Sequence, residues 1–347
     1  MGHQPIDEGF CGGIDGHLLH RIDSRAGLMT FVPTTRAALA APAFIDGRTP
    51  FATGPEIAVS LDAMLATAVE GAASRAPQRY ILHMGFCGST LLARLLDRPG
   101  MVLTLREPAA LTDIANWQAD HDGQRGSDPR LAAALDFARS SLQRGWAPDE
   151  AVVIKPSNWD NNIARALAHD AQVVVVTIAP RDFITAIFRG GRDRMLFAAR
   201  ALVHLAAAAP EFLPLFTRAT EIENAPFDKV ARIAALLHAL QVRLLAQVRG
   251  ATRIDFSQIR DAPEAAVRQA CQALGLPAPA ARDRVNRAAW LGHHAKAPGE
   301  HYSAEAHARA DADVAARYGA TIDAALDWAA AHLATVSPAP PPGRPTA

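Results

Sequence analysis

The sequence predicts an α/β protein built on a five-stranded parallel sheet flanked by helices. Three observations carry that expectation. Short apolar runs alternate with longer helical patterns between residues 79 and 277, the rhythm of strand–helix–strand units. The runs are dominated by Val, Ile and Leu, as strands covered on both faces require. Finally, "RYILHMG" (79–85) passes through a Gly-Ser-Thr turn into "STLLARLLD" (89–97), a strand, a tight loop and a helix in succession.

Taken in order, residues 1–55 read as an irregular N-terminal extension, since Gly, Pro and Asp interrupt every apolar run. "EIAVSLDAMLATAVEGAA" (56–73) reads as a helix. The first strand is 79–85, and the helix after it has Ser89 or Thr90 near its N-terminus. "MVLTL" (101–105) is the second strand, ending at "REP". "NWQADHDGQRGSDPR" (116–130) is polar and reads as a loop, and "LAAALDFARSSLQRG" (131–145) as a helix. "AVVIKPSN" (151–158) is the third strand, with Lys155 at its end, and "QVVVVTIAP" (172–180) is the fourth. A helix follows from Asp182. "DKVARIAALLHALQVRLLAQV" (228–248) aligns Ile233, Leu237, Leu240, Leu244 and Val248 on one face. "ATRIDFSQ" (251–258) is the fifth strand, with the helix "PEAAVRQACQALG" after it. The organisation is therefore an extension (1–55), an α/β domain (56–336) and a Pro-rich disordered tail (337–347).

Bulk properties narrow the function. The 347 residues are half hydrophobic, and 35 basic residues balance 35 acidic ones. That balance argues against a general nucleic-acid or membrane-surface binder. Cys11, Cys87 and Cys271 form neither a disulfide framework nor a CxxC zinc pair. The N-terminus lacks a secretory pattern, and Ile6 stands where a myristoylation signal needs Ser or Thr. No apolar run reaches the length of a membrane span. The expectation is a soluble, cytoplasmic protein.

In an open parallel sheet, ligands bind beyond the carboxyl ends of the strands. Those ends supply Gly85–Thr90, Arg106–Glu107, Lys155–Asn158 and Pro180–Asp182, expected to meet in one crevice. Backbone N–H groups around Gly88, Ser89 and Thr90 would cup an anion at a helix N-terminus, with two hydroxyls as further donors. An ordinary turn capped by Ser or Thr is the alternative. The outline is P-loop NTPase-like, but Ser89 follows the last glycine where a nucleoside-triphosphate loop carries Lys. The strand "VVVVTIAP" also ends without a carboxylate for magnesium, so ATP or GTP hydrolysis is disfavoured.

The layout resembles the sulfotransferase family, whose loop holds the phosphosulfate of 3′-phosphoadenosine-5′-phosphosulfate without a metal. "GFCGSTLLARLL" is similar to that family's P-[KR]-S-G-T-T-hydrophobic loop. "APRDFITAIFR" (179–189) is similar to its R-x-P-[RK]-D segment, and "IDFSQIRDAPEAAVRQACQALGLP" (254–277) to its late strand, acidic turn and helix. "LREP" (105–108) and "VIKPSN" (153–158) fall where bacterial members carry active-site turns. The resemblance covers roughly residues 79–335 and departs at three places. Phe86 stands at the loop's Lys or Arg, Ile178 at the arginine for the 3′-phosphate, and Ala186 at the serine.

The resemblance implies a nucleotide donor, a small hydroxylated acceptor and no metal. Glu107 is the candidate base and Lys155 the candidate cation, together the catalytic pair; a structural Arg106–Glu107 pair is the competing role. Ser157 and Asn158, where some members carry a His base, can only hydrogen-bond. Cys87, Gly88, Ser89 and Thr90 form the cofactor-binding loop, with Cys87 itself reading as a packing residue. Arg181 and Arg189 are candidates for the nucleotide's phosphates, with Arg192 on the same basic segment "FRGGRDR". "WLGHHAKAPGEHY" (290–302) matches no zinc spacing and reads as a late lid that donates Lys296. Two rival readings remain: a metal-dependent phosphotransferase on the same scaffold, and a non-catalytic nucleotide- or partner-binding protein.

Overall fold

A computed structural model describes residues 16–70, 77–122, 128–147, 149–221, 225–279, 293–294, 297–301 and 303–334. The described residues fall into two compact units, one within 16–179 and 241–304 and one within 180–240 and 305–334.

The first unit opens with strands β1 (His17–Asp23) and β2 (Leu28–Pro33), an antiparallel hairpin turned at Gly27. A short helix α1 (Arg36–Ala40) follows, and strand β3 (Ile57–Ser60) adds to β2 before helix α2 (Leu61–Glu70). The sequence reads 1–55 as irregular and 56–73 as wholly helical, so this three-stranded sheet is a correction. Its strands are short and end in Gly, Pro and Asp, and what holds them is tertiary. Leu18, Leu19, Met29 and Phe31 are buried, and Arg21 forks onto Asp113 at 2.7 and 2.8 Å. β-propensity of this kind is a property of packing more than of the local chain.

The central sheet comprises β4 (Gln78–His83), β5 (Val102–Arg106), β6 (Ala151–Lys155), β7 (Ala171–Thr177) and β8 (Thr252–Asp255), in the order β5-β6-β4-β7-β8. Every pairing is parallel. All five strands appear where the apolar runs place them, and the inner segments are buried. Three helices link them in the first half: α3 (Ser89–Leu96), α4 (Ala109–Asp122) and α5 (Pro129–Leu142). The polar stretch 116–130 is therefore helical through Asp122. Buried Ile114 and Trp117 carry α4 on past the point where its polar composition suggests a loop. A 3-10 turn (Asn158–Ile163) and the short helix α6 (Ala164–Leu167) join β6 to β7.

The second unit is helical. It contains α7 (Pro180–Arg189), α8 (Gly191–Leu205), α9 (Leu213–Thr220) and the first part of α10 (Pro226–Ala246). From Gln241 onward α10 belongs to the first unit, followed there by α11 (Phe256–Asp261) and α12 (Pro263–Ala273). The expected stripe Ile233, Leu237, Leu240, Leu244 and Val248 is buried at all five positions. Backbone strands β9 (His293–His294) and β10 (Ala297–His301) pair within the His-rich stretch. The long helix α13 (Ala304–Leu333) closes the second unit. There Phe188, Phe227 and Tyr318 cluster with ring centroids 4.8–6.1 Å apart. The tail 337–347 lies outside the described residues.

No described helix is long and apolar enough to cross a membrane.

Candidate functional site

β4 lies next to β6, and β6 next to β5, so the three chain segments leaving their carboxyl ends are neighbours. Strand spacing of about 4.8 Å sets how far apart they start. Two bonds tie them closer. The Glu107 amide donates to the Lys155 carbonyl at 2.6 Å, prolonging the β5–β6 ladder by one residue. The His83 ring nitrogens lie 2.7 Å from the Met84 carbonyl oxygen and 2.9 Å from that of Pro156, which links the β4 loop to the turn after β6.

The loop after β4 turns on two left-handed residues, Phe86 (φ 64) and Gly88 (φ 75). Gly88 is required twice over. A Cβ there would sit 3.1 Å from the Phe256 ring as well as in a left-handed conformation. Gly88 is also the N-cap of α3 and gives it no side-chain cap. Its carbonyl takes the Leu92 amide at 3.0 Å, which leaves the first-turn N–H groups of Ser89, Thr90 and Leu91 with no acceptor inside the helix. The Ser89 and Thr90 side chains are buried. The Cys87 thiol donates back to the Met84 carbonyl at 2.8 Å and is 1% exposed, so it closes the loop from below, as a packing residue does.

The ends of β5 and β6 bring the two expected catalytic residues together. Lys155 Nζ donates to Glu107 Oε1 at 2.7 Å, with the lysine side chain 0% exposed and the glutamate 14% exposed. Arg106 does not pair with Glu107. It is fully buried and donates instead to Thr104 and to the carbonyls of Leu39, Ala40, Pro42 and Ala43. Arg106 therefore moors the 39–43 segment to the sheet, while Glu107 turns the other way. Glu107 adopts φ 57, a conformation that costs a non-glycine residue on the order of 1 kcal/mol. Among the described residues the other non-glycine positions with positive φ are Phe86, Asp149 and Asp170. Aspartate tolerates that region; Phe86 and Glu107 have no such excuse, and both stand at the candidate site.

Several contributors carry no recognisable sequence signal. Phe44 follows the moored segment and lays its ring 5.6 Å from Lys155 Nζ, with the Arg48 guanidinium 4.7 Å from the same ring. Arg48 also approaches Glu107 Oε2 at 3.7 Å and holds Asp46 at 2.5 Å. Gln241, buried on α10, accepts from the Gly85 amide at 3.3 Å and from the Asn158 and Asn161 amides at 3.4 Å. A glutamine inside an apolar helical stripe gives no hint of this part. Ser157 caps the 3-10 turn in a reciprocal box with Asp160, so both Ser157 and Asn158 are committed to the scaffold. Asp160 accepts from Thr112 and the Ser157 amide. Burial pushes its carboxyl up to about 8, aided by Glu107 and opposed by those two bonds and Lys155.

Other expected residues belong to the second unit. Pro180–Asp182 open the second unit, where Arg181 pairs with Asp323 and Arg189 with Asp311 on α13. Ile178 and Ala186 are buried. Lys296 lies outside the described residues. Among the described residues, no group of three or more His, Cys, Asp or Glu side chains is placed to hold a metal ion.

No protein-family model matches the chain, and no curated protein matches it. Among solved structures the chain is similar to one described as the crystal structure of a sulfotransferase from Alicyclobacillus acidocaldarius. The identity is 16%, the TM-score is 0.33, and the alignment covers 73% of this chain and 97% of that one.

Proposed function

We propose that the protein transfers a sulfuryl group from 3′-phosphoadenosine-5′-phosphosulfate to a small hydroxylated acceptor. The observation that carries this reading is the Lys155–Glu107 pair, one strand away from an uncapped, glycine-led helix N-terminus. It is supported by the order of the sulfotransferase-like motifs along the chain.

In this reading the amides of Ser89, Thr90 and Leu91 hold the phosphosulfate, helped by the positive end of α3. The acceptor oxygen attacks sulfur while the bond from sulfur to the bridging oxygen breaks. The electron pair of that bond stays on the nucleotide's phosphate, and Lys155 offsets the charge. Glu107 takes the acceptor's proton. Phe86 supplies no charge to the loop, so Lys155 carries that task alone among the loop's neighbours on β4–β6. Arg181, Arg189 and Lys296 are the candidates for the 3′-phosphate.

Calorimetry with adenosine 3′,5′-bisphosphate in the absence of divalent metal, followed by a transfer assay with labelled donor, tests the reading. Binding without metal, weakened about tenfold or more by Lys155→Ala, is expected. Binding of ATP with Mg²⁺ alone would replace the reading with a phosphotransferase. Binding of the bisphosphate with no transfer to any hydroxylated acceptor would leave a nucleotide-binding protein.

A further inference from the structure

We propose that Arg48 is a positioning residue that receives the Glu107 carboxylate when an anionic group engages Lys155. The proposal deepens the reading above and rests on its assignment of Lys155 as the cation that meets the ligand's phosphate or sulfate.

Lys155 is sealed as it stands. Its side chain has no exposure, its ammonium is bonded to Glu107, and the Phe44 ring covers it. An anion arriving at the loop meets a lysine whose charge a carboxylate already answers. Two anions around one ammonium repel each other most strongly where water is excluded, so the carboxylate must leave Lys155 for the ligand to use it. A second cation is already within reach of its other oxygen, because Arg48 lies 3.7 Å from Glu107 Oε2. That separation is longer than a hydrogen bond, so the carboxylate is seated on Lys155 and only attracted by Arg48. The Arg48 side chain is 66% exposed and stacked against Phe44, which lets it follow the carboxylate without opening the core. Its five N–H donors suffice to keep Asp46 and to donate to Glu107 as well. The left-handed backbone at Glu107 points to a side chain aimed by design across the strand ends rather than relaxed into place.

The exchange gives order to the reaction. Before the donor binds, Lys155 holds the carboxylate. After it binds, Glu107 rests against Arg48 at the rim, where an acceptor's hydroxyl can reach it.

Inorganic pyrophosphate, titrated calorimetrically into the full chain, is the probe, with Glu107→Gln, Arg48→Ala, Arg48→Lys and the double variant Glu107→Gln/Arg48→Ala. Glu107→Gln is expected to bind about tenfold more tightly than the natural chain, because no charged group has to be displaced. Arg48→Ala should bind about three- to tenfold more weakly, Arg48→Lys should recover most of that loss, and in the Glu107→Gln background Arg48→Ala should change nothing. Equal loss from Arg48→Ala in both backgrounds would mean that Arg48 touches the anion directly, and would overturn the proposal. So would unchanged or weaker binding by Glu107→Gln, or no binding by any variant. The pyrophosphate cycle does not involve sulfuryl transfer. If it behaves as expected while labelled donor gives no product, the exchange stands and the transfer reading falls.

Discussion

Cations at the carboxyl edge of the sheet and cations on the helical unit meet oxygen partners in very different surroundings. Arg106 and Lys155 are buried at the ends of β5 and β6, Arg106 answered by backbone carbonyls with Asp97 at 3.8 Å, and Lys155 by Glu107. Arg181 on α7 pairs with Asp323 on α13 at a position open to water, the two being 48% and 54% exposed, whereas the Arg189–Asp311 pair is partly buried. The comparison teaches that an ion pair is worth what its surroundings make it worth. In water a lost partner is replaced by solvent, whereas at the sheet edge a lost partner leaves a polar group stranded.

The sharpest way to break that contrast is Arg106→Met. Four carbonyls of the 39–43 segment lose their donor, and a loss of about 3–5 kcal/mol is expected in urea denaturation. A loss below about 1 kcal/mol would show that the segment is not moored by this residue. Next in size is Gly88→Ala. The left-handed φ and the 3.1 Å approach to Phe256 together are expected to remove about 1–3 kcal/mol. Pyrophosphate binding should fall with it, because the α3 N-terminus is displaced.

Asp160 sharpens the comparison through pH. Its folded carboxyl, raised from 3.8 to about 8 by burial, stays protonated in a range where the unfolded chain has lost that proton. The folded state then binds more protons, so its stability falls as pH rises. The contribution is complete below 3.8 and lost as the pH climbs to about 8. Denaturation midpoints of the natural chain should drop between pH 5 and pH 8 relative to those of Asp160→Asn. Parallel midpoints in the two proteins would refute the assignment. The smallest effect belongs to Arg181→Ala, expected to change stability by less than about 1 kcal/mol. A larger change would erase the distinction between the two regions.

Much of the scaffold was legible in the chain itself. Strands β5, β6 and β7 show as Val-, Ile- and Leu-rich runs because burial on both faces favours unbroken apolar sequence, while the edge strand β8 keeps a single buried Ile254. The β4–loop–α3 unit was legible because left-handed turns demand glycine, and "GFCGST" places one at the required position. The α10 stripe was legible from its period. The hairpin of β1 and β2 was not, because its short strands depend on α4 and α5 lying beneath them. Nor was the helix through 116–122, where buried Trp117, following Ile114 on the same helix, decides the matter within an otherwise polar segment.

The same division runs through the candidate site. The sequence by itself determined which residues end the strands, and so placed Glu107, Lys155 and Gly88–Thr90 on one edge of a sheet. Neighbouring parallel strands bring their ends together whatever the side chains are. Only the tertiary structure decided what each group does there. It turned Arg106 inward and Glu107 toward Lys155, and it brought Phe44, Arg48 and Gln241 to the site from distant stretches of chain. Partnership between side chains depends on direction and burial, which the order of residues does not record.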